Sequence, residues 1–507
     1  MSAMRFSFLF ALCLLTAQAA PAQDSWVGET VLLKRDGVKI SRVAKDGATV
    51  MTDLTETYYR VLGDKDDRLQ VKTYAAEVGW FDKSDAVLLK DAVNFFSERI
   101  NRNPKDLGAW NRRATAWTLK GETDKAIEDF TESLRLKPDQ ATIYNNRGVA
   151  WEKKKEHDKA IEDYSETLRR NPKSVIAWAN RGAAWLTKKE HDKAIGDLDE
   201  AIRLQPKYAR AHNLRGVAWA EKKDYEKAVA DYDRAIELDP KEAVYLRNRG
   251  AAWRAKKEYD RAIADYSAAI ELEPKSAAAW RGRGLARYFK KDYEAASADF
   301  TEEARLTPKS YLPYYDRGQC RLKLGDVDRA IADETECLRL NGKYAPAHNL
   351  RASAWLKKKD YDKAVADYAA AIRLSPKVSG YYAARGLALF LAKEYDRALE
   401  DLDQAEKMDP KLILPLVNRV RMLATCPDAK YRDGAKALEL ITKAQKLLKE
   451  PDAEFFQTLA AVHAENGDFA AAVRWQERAL EDPRYRDDPD ARRRLELYRA
   501  KKAYREL

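Results

Sequence analysis

Cysteine is nearly absent from this chain, with 4 in 507 residues. Cys13 lies in an apolar leader, and Cys320, Cys337 and Cys426 are an odd, scattered remainder. Such a set excludes a disulfide-built framework. Glycine and proline are modest, at 21 and 17, so most of the chain is not disordered linker. After the leader no run is apolar enough to cross a bilayer. Catalytic signatures are also missing: there is no HExxH, no phosphate-cradling glycine loop and no nucleophile elbow. Of the histidines, His157 pairs with His191 and His212 with His348 at matching places of a repeated pattern, which repeat copying explains better than metal binding. These absences argue against an enzyme and assign no catalytic, cofactor-binding or metal residue.

What is present begins with a leader. Arg5 precedes an apolar run over 6–16, and the small residues Ala17, Ala19, Ala20 and Ala22 follow. Residues 1–22 therefore read as a secretory signal peptide, cut after Ala19 or Ala22. The expected location is periplasmic or secreted, with no transmembrane segment in the mature chain.

The dominant pattern is a period of 34 residues. Pro104, Pro138, Pro172, Pro206, Pro240, Pro274, Pro308, Pro376 and Pro410 fall in one register, with Gly342 in the same slot. Within 173–206, Trp178, Gly182, Ala183 and Trp185 recur at helical spacing. A polar turn over 187–190 separates them from Ala194, Ile195, Leu198, Ala201 and Ile202, and Pro206 ends the second set. The unit is a helix, a tight turn, a second helix and a stop. One such hairpin cannot bury its own apolar face, so copies must stack.

Residues carried by each copy resemble the tetratricopeptide repeat (TPR) family. Tyr144, Gly148, Trp151, Ala160, Tyr164 and Pro172 bear the likeness in the second repeat, and Gly216, Trp219, Ala228, Tyr232, Ala235 and Pro240 in the fourth. The resemblance implies a mostly α fold, a right-handed superhelix of helix hairpins forming a TPR α-solenoid, and protein or peptide partners on its concave surface. Nine regular repeats span 107–410, two irregular ones 413–484, and a charged capping helix 488–507. Arg287, Arg321 and Leu389 stand where Trp stands elsewhere, and Glu334 replaces a large apolar residue, so the sixth and seventh copies are the least regular.

Residues 26–84 do not share this period. Short alternating runs separated by turn signals predict a small all-β domain. Its ending, Gly79, Trp80 and Phe81, resembles a bacterial SH3-like barrel, which implies peptide or cell-wall binding beside the simpler role of a folded spacer. A helix over 85–104 caps the array.

Charge repeats too. Arg113, Arg147, Arg181, Arg215, Arg249, Arg283, Arg317, Arg351 and Arg385 recur in the first helices, and an Asp recurs 16 residues after each. This pattern predicts a ladder of internal ion pairs rather than an anion-binding stripe. Lysines gather at the turns, as at 153–155, 188–189 and 222–223, and form a basic edge in a chain of net charge +11. Two readings of that edge stand: a solvated rim, or a surface for anionic polymer. Predicted export argues against nucleic acid. For partner binding, the candidates are Asn146, Asn180 and Asn248, which resemble one element of the family's carboxylate clamp, and an apolar patch of Tyr288, Phe289, Tyr315 and Leu322. The function expected is an exported protein-protein interaction scaffold. The alternative is a cell-envelope polymer-binding protein using the β domain and the basic edge.

Overall fold

The computed structural model describes residues 25–43, 48–54, 56–73, 77–448 and 450–506. The signal-peptide expectation at 1–22 lies outside them. The chain divides into two compact units, 1–239 and 240–507.

The first unit opens with seven strands: β1 (Thr30–Leu33), β2 (Lys39–Val43), β3 (Thr49–Asp53), β4 (Tyr58–Lys65), β5 (Arg68–Lys72), β6 (Val78–Asp82) and β7 (Ala86–Leu88). They form one antiparallel sheet in the order β3-β2-β6-β5-β4-β1-β7. Alternation drives it: Val31, Leu33, Ile40, Val61, Leu69, Val71 and Phe81 point into one core. Asp66 and Asp67, at φ 51° and 59°, supply the two left-handed residues of the tight β4–β5 turn. The expected closed barrel is not formed, because β3 and β7 end the sheet without pairing to each other. The strand β7 is also new: its three residues Ala86, Val87 and Leu88 were expected at the start of the capping helix, and they instead pair with β1.

That helix, α1 (Leu89–Arg102), leads into four hairpins. They are α2 (Leu107–Lys120) with α3 (Thr123–Leu136), α4 (Ala141–Lys153) with α5 (His157–Arg170), α6 (Val175–Thr187) with α7 (His191–Leu204), and α8 (Ala209–Glu221) with α9 (Tyr225–Leu238). Leu32 and Val87 of the sheet share a core with Ala92, Phe96 and Ala116, so the β domain and the first hairpin are packed together.

The second unit continues with α10 (Ala243–Ala255), α11 (Tyr259–Leu272), α12 (Ala277–Phe289), α13 (Tyr293–Leu306), α14 (Leu312–Lys323), α15 (Val327–Leu340), α16 (Ala345–Lys357) and α17 (Tyr361–Leu374). Then follow α18 (Ser379–Leu391), α19 (Tyr395–Met408), α20 (Ile413–Thr425), α21 (Gly434–Leu447), α22 (Ala453–Glu465), α23 (Phe469–Leu480) and α24 (Pro489–Arg499). Among the described residues no helix is long and apolar enough to cross a membrane.

Close approach sets the hairpins. A Cβ on Gly148 would lie 2.7 Å from the Tyr164 ring, so glycine lets the second-helix ring seat on the first helix. The repeated tryptophans are half-buried and pack against the hairpin cores, as Trp117, Trp151, Trp185, Trp253 and Trp355 do. Trp151 and Trp185 are half-buried, each with an ammonium 4.6 Å from the ring, from Lys159 and Lys193.

The charge ladder is present at all nine places, each Arg paired with the Asp of its own hairpin. The Arg147 guanidinium donates to both oxygens of Asp163, at 2.9 and 2.8 Å, and its third nitrogen donates to Thr131 of the preceding hairpin at 3.0 Å. Arg113, Arg181, Arg283, Arg317 and Arg351 repeat this with Ser97, Ser165, Ser267, Thr301 and Thr335. Each of these six rungs thus closes a hairpin and ties it to the helix before it. Burial raises the Asp129 and Asp163 carboxyls above the usual range despite their arginines. Burial also works to raise Asp231 and Asp367, but His212 and His348 add to Arg215 and Arg351 there and hold both below it. Arg287 and Arg321, at tryptophan places, join the ladder as second donors to Asp299 and Asp333, at 2.9 and 2.7 Å. Arg419 keeps the link backward, to Asp403 and, at 3.9 Å, to Glu406.

Candidate functional site

The 34-residue period puts Arg112, Asn146 and Asn180 at one place in three successive first helices. The first of these is spent on the β domain: Arg112 pairs with Asp36. Arg99 reinforces that junction by donating to the Lys34 carbonyl at 2.6 Å and to Asp106 at 2.6 Å. The β domain therefore covers the first hairpin and leaves the next three facing its sheet.

Between them lies a cleft of about 750 Å³. One wall is Thr52, Asp53, Glu56, Thr73 and Glu77, from β3 and the loops beside β4, β5 and β6. The other is Asn145, Val149, Ile176, Asn180, Tyr208 and Arg210, from α4, α6, α8 and the loop before α8. Its polar groups are joined: Arg210 donates to Asn180 Oδ1 at 2.9 Å, and Asn180 Nδ2 donates to Asn145 Oδ1 at 3.2 Å. Asn180 is buried under this chain, whereas Ile176, one turn earlier on the same helix, is 54% exposed. A fixed donor and acceptor row beside an uncovered aliphatic side chain orients a ligand and gives it apolar area. The acidic wall is compensated locally, Glu77 by Arg42 at 2.9 Å and Asp53 by Lys39 at 3.7 Å.

Of the sequence candidates, Asn180 lies in this cleft. Asn146 accepts from Asn145 at 3.5 Å and is half-buried, as is Asn248 in the second unit. The apolar candidates separate into two clusters. Tyr288 meets Phe289 and Tyr293 edge-on, at 5.7 and 5.4 Å. Phe289 is half exposed and stacks on Tyr259 at 6.0 Å. Tyr315 packs instead against Tyr344 at 5.1 Å, and Leu322 is half-buried on α14. Sequence reasoning missed Asn145, Ile176, Arg210 and the whole β wall. Asn145 precedes Asn146 and was legible; the β wall had no repeat to mark it.

The irregular sixth and seventh hairpins bury charge. Asp316 accepts from Arg281 at 3.1 Å, while both oxygens of Glu334 and Oε2 of Glu303 have no hydrogen-bond partner among the described residues. Burial pushes the Glu303 carboxyl up to about 7, against the pull of Arg281, and Glu334 up to about 10, with Asp333 and Asp316 adding to the effect. Among the described residues no group of three His, Cys, Asp or Glu is placed to hold a metal ion.

No curated protein matches the chain. Among solved structures, a tetratricopeptide repeat protein from Parabacteroides merdae is similar at TM-score 0.40 and 18% identity, over 49% of this chain and 98% of that one. Yeast Tom70 is similar at TM-score 0.37 and 18% identity, over 78% and 96%. The Pseudomonas aeruginosa protein pilF is similar at TM-score 0.36 and 21% identity, over 40% and 92%. Family models described as tetratricopeptide repeat match residues 141–174, 191–243, 315–379 and 360–413, and one described as TPR repeat matches 250–291. Those matches fall on the hairpins described above, in both units. Residues 141–174, 191–243, 250–291 and 315–413 are thus tetratricopeptide repeats.

Proposed function

We propose that the chain is an exported, non-catalytic protein-protein interaction scaffold that holds a polypeptide partner in the cleft of its first unit. The observation that carries this is the bonded row Asn145, Asn180 and Arg210 beside the exposed Ile176, facing a second wall from the β domain. Backbone amides of an extended segment match the row's donors and acceptors, and an apolar side chain covers Ile176. Export rests on the leader at 1–22 and predicts a mature N-terminus just after Ala19 or Ala22.

The test is a photoreactive residue placed at position 176 of the full chain, with the exposed Leu272 of α11 as control. Crosslinking of one polypeptide from an envelope fraction at 176 and not at 272 supports the reading. Equal labelling at both places would sink it.

A further inference from the structure

The turns inside the hairpins carry a conformational oddity that packing does not demand. Lys155, Lys189 and Lys223 of the first unit have φ of 63°, 61° and 63°. Lys257, Lys291, Lys359 and Lys393 of the second have φ of 65°, 70°, 60° and 65°. Each ends its first helix in the left-handed conformation. The next residue's amide reaches back to close the turn, as Glu156 does to the Trp151 carbonyl at 3.0 Å. Glycine makes the same turn in this chain, at Gly121 and Gly325, with φ of 82° and 81°. A side chain in that conformation is strained, so lysine occupies seven slots where glycine fits better.

Neighbouring charges do not account for the choice. The lysine just before is neutralised by an aspartate of the preceding hairpin, as in Lys154 with Asp124, Lys188 with Asp158 and Lys222 with Asp192. In the second unit Lys290 meets Asp260 and Lys358 meets Asp328 in the same way. The acid that follows is held by its own helix: Glu156 by Lys159 at 3.6 Å, Glu190 by Lys193 at 3.4 Å, Asp224 by Lys227 at 2.9 Å. Lys155, Lys189, Lys223, Lys257, Lys291 and Lys393 are exposed, and no ion pair holds them among the described residues. Only Lys359 has one, a 3.4 Å contact with Asp490. Between the turns of two successive hairpins, Lys358, Lys359, Lys393 and Tyr361 line an open cleft of about 650 Å³. Asp360 and Asp362 also line it, the former held by Lys363 at 2.7 Å.

We propose that these strained lysines bind a linear polyanion, which takes one charge from each hairpin that carries such a lysine, along the turn edge of its unit. This surface is separate from the cleft assigned to a polypeptide partner and does not depend on that reading. Identical single ammonium groups, repeated and, save for Lys359, without an ion pair among the described residues, suit a polymer of regularly spaced phosphate or carboxylate groups better than one folded epitope.

The experiment uses the full chain and measures binding of long-chain polyphosphate, polygalacturonate and polyglutamate at two salt concentrations. One variant replaces all seven left-handed lysines with glycine. A control replaces Lys173, Lys207, Lys275, Lys309, Lys343, Lys377 and Lys411, exposed at the loops between hairpins, for the same loss of charge. The expected result is salt-sensitive binding of at least one polymer, weakened at least about tenfold in the glycine variant and far less in the control. The glycine variant should melt no lower than the parent, because strain is relieved. Polyphosphate binding alone identifies phosphate, and polygalacturonate alone identifies carboxylate. Equal loss in the control, an unchanged affinity in the glycine variant, or binding of none of the three polymers would overturn the proposal.

Discussion

Glu334 stands where the other second helices carry Phe130, Tyr164, Leu198, Tyr232, Tyr266, Phe300, Tyr368 and Leu402. It is 0% exposed and its carboxyl has no partner among the described residues, so it persists folded as the neutral acid. The folded group is pushed up to about 10 from an ordinary value of 4.5, so folding takes up a proton between those limits. Stability must therefore fall as pH rises through that window, by up to about 1.4 kcal/mol per pH unit, and level off above it. Glu334→Gln should raise the melting temperature at pH 9 more than at pH 6. An identical shift at both would show that the carboxyl is ionised or solvated in the folded protein. The ladder makes a second prediction at this scale. Asp163→Ala strands Arg147, which is largely buried, and should cost about 3 kcal/mol. Adding Arg147→Leu should recover most of it, and simple additivity in urea unfolding would remove the pair from the account.

Helices differ in whether their glycines are required. Gly148 of α4 sits against the Tyr164 ring, whereas Gly196 of α7 has nothing within 4 Å of an added Cβ. Gly148→Ala should destabilise by about 1–3 kcal/mol through overpacking. Gly196→Ala should stabilise by about 0.5–1 kcal/mol through helix propensity. Opposite signs in thermal melts are the check. The same contrast explains what was legible in the sequence. Hairpins and ladder were legible because each rung joins residues 16 apart and recurs every 34. That the Tyr164 ring is what seats on Gly148 was not legible, since periodicity tells which positions match but not which ring fills which gap. Sheet closure was beyond reach because it depends on whether two edge strands meet, and no local pattern encodes that.

At the scale of the molecule, the repeat charges close and couple hairpins, and the proposed function rests on what departs from the repeat. In the first unit that departure is the β domain, which takes Arg112 and leaves Asn180, Arg210 and Ile176 opposite its own wall. The cleft joins residues 52–77 to residues 145–210, a proximity with no trace in the 34-residue period. Asn180 alone was found beforehand, through its likeness to a family motif, and in the cleft it bonds Asn145 and Arg210. On the function we propose, this cleft, and not the concave surface in general, holds the partner. The affinity of the crosslinked polypeptide for the parent chain and for Ile176→Glu measures it most directly, since the exposed Ile176 can change without disturbing the core. The account predicts at least about a tenfold loss with an unaltered melting temperature, tenfold being about 1.4 kcal/mol of binding free energy. Equal affinities for the two chains would contradict it.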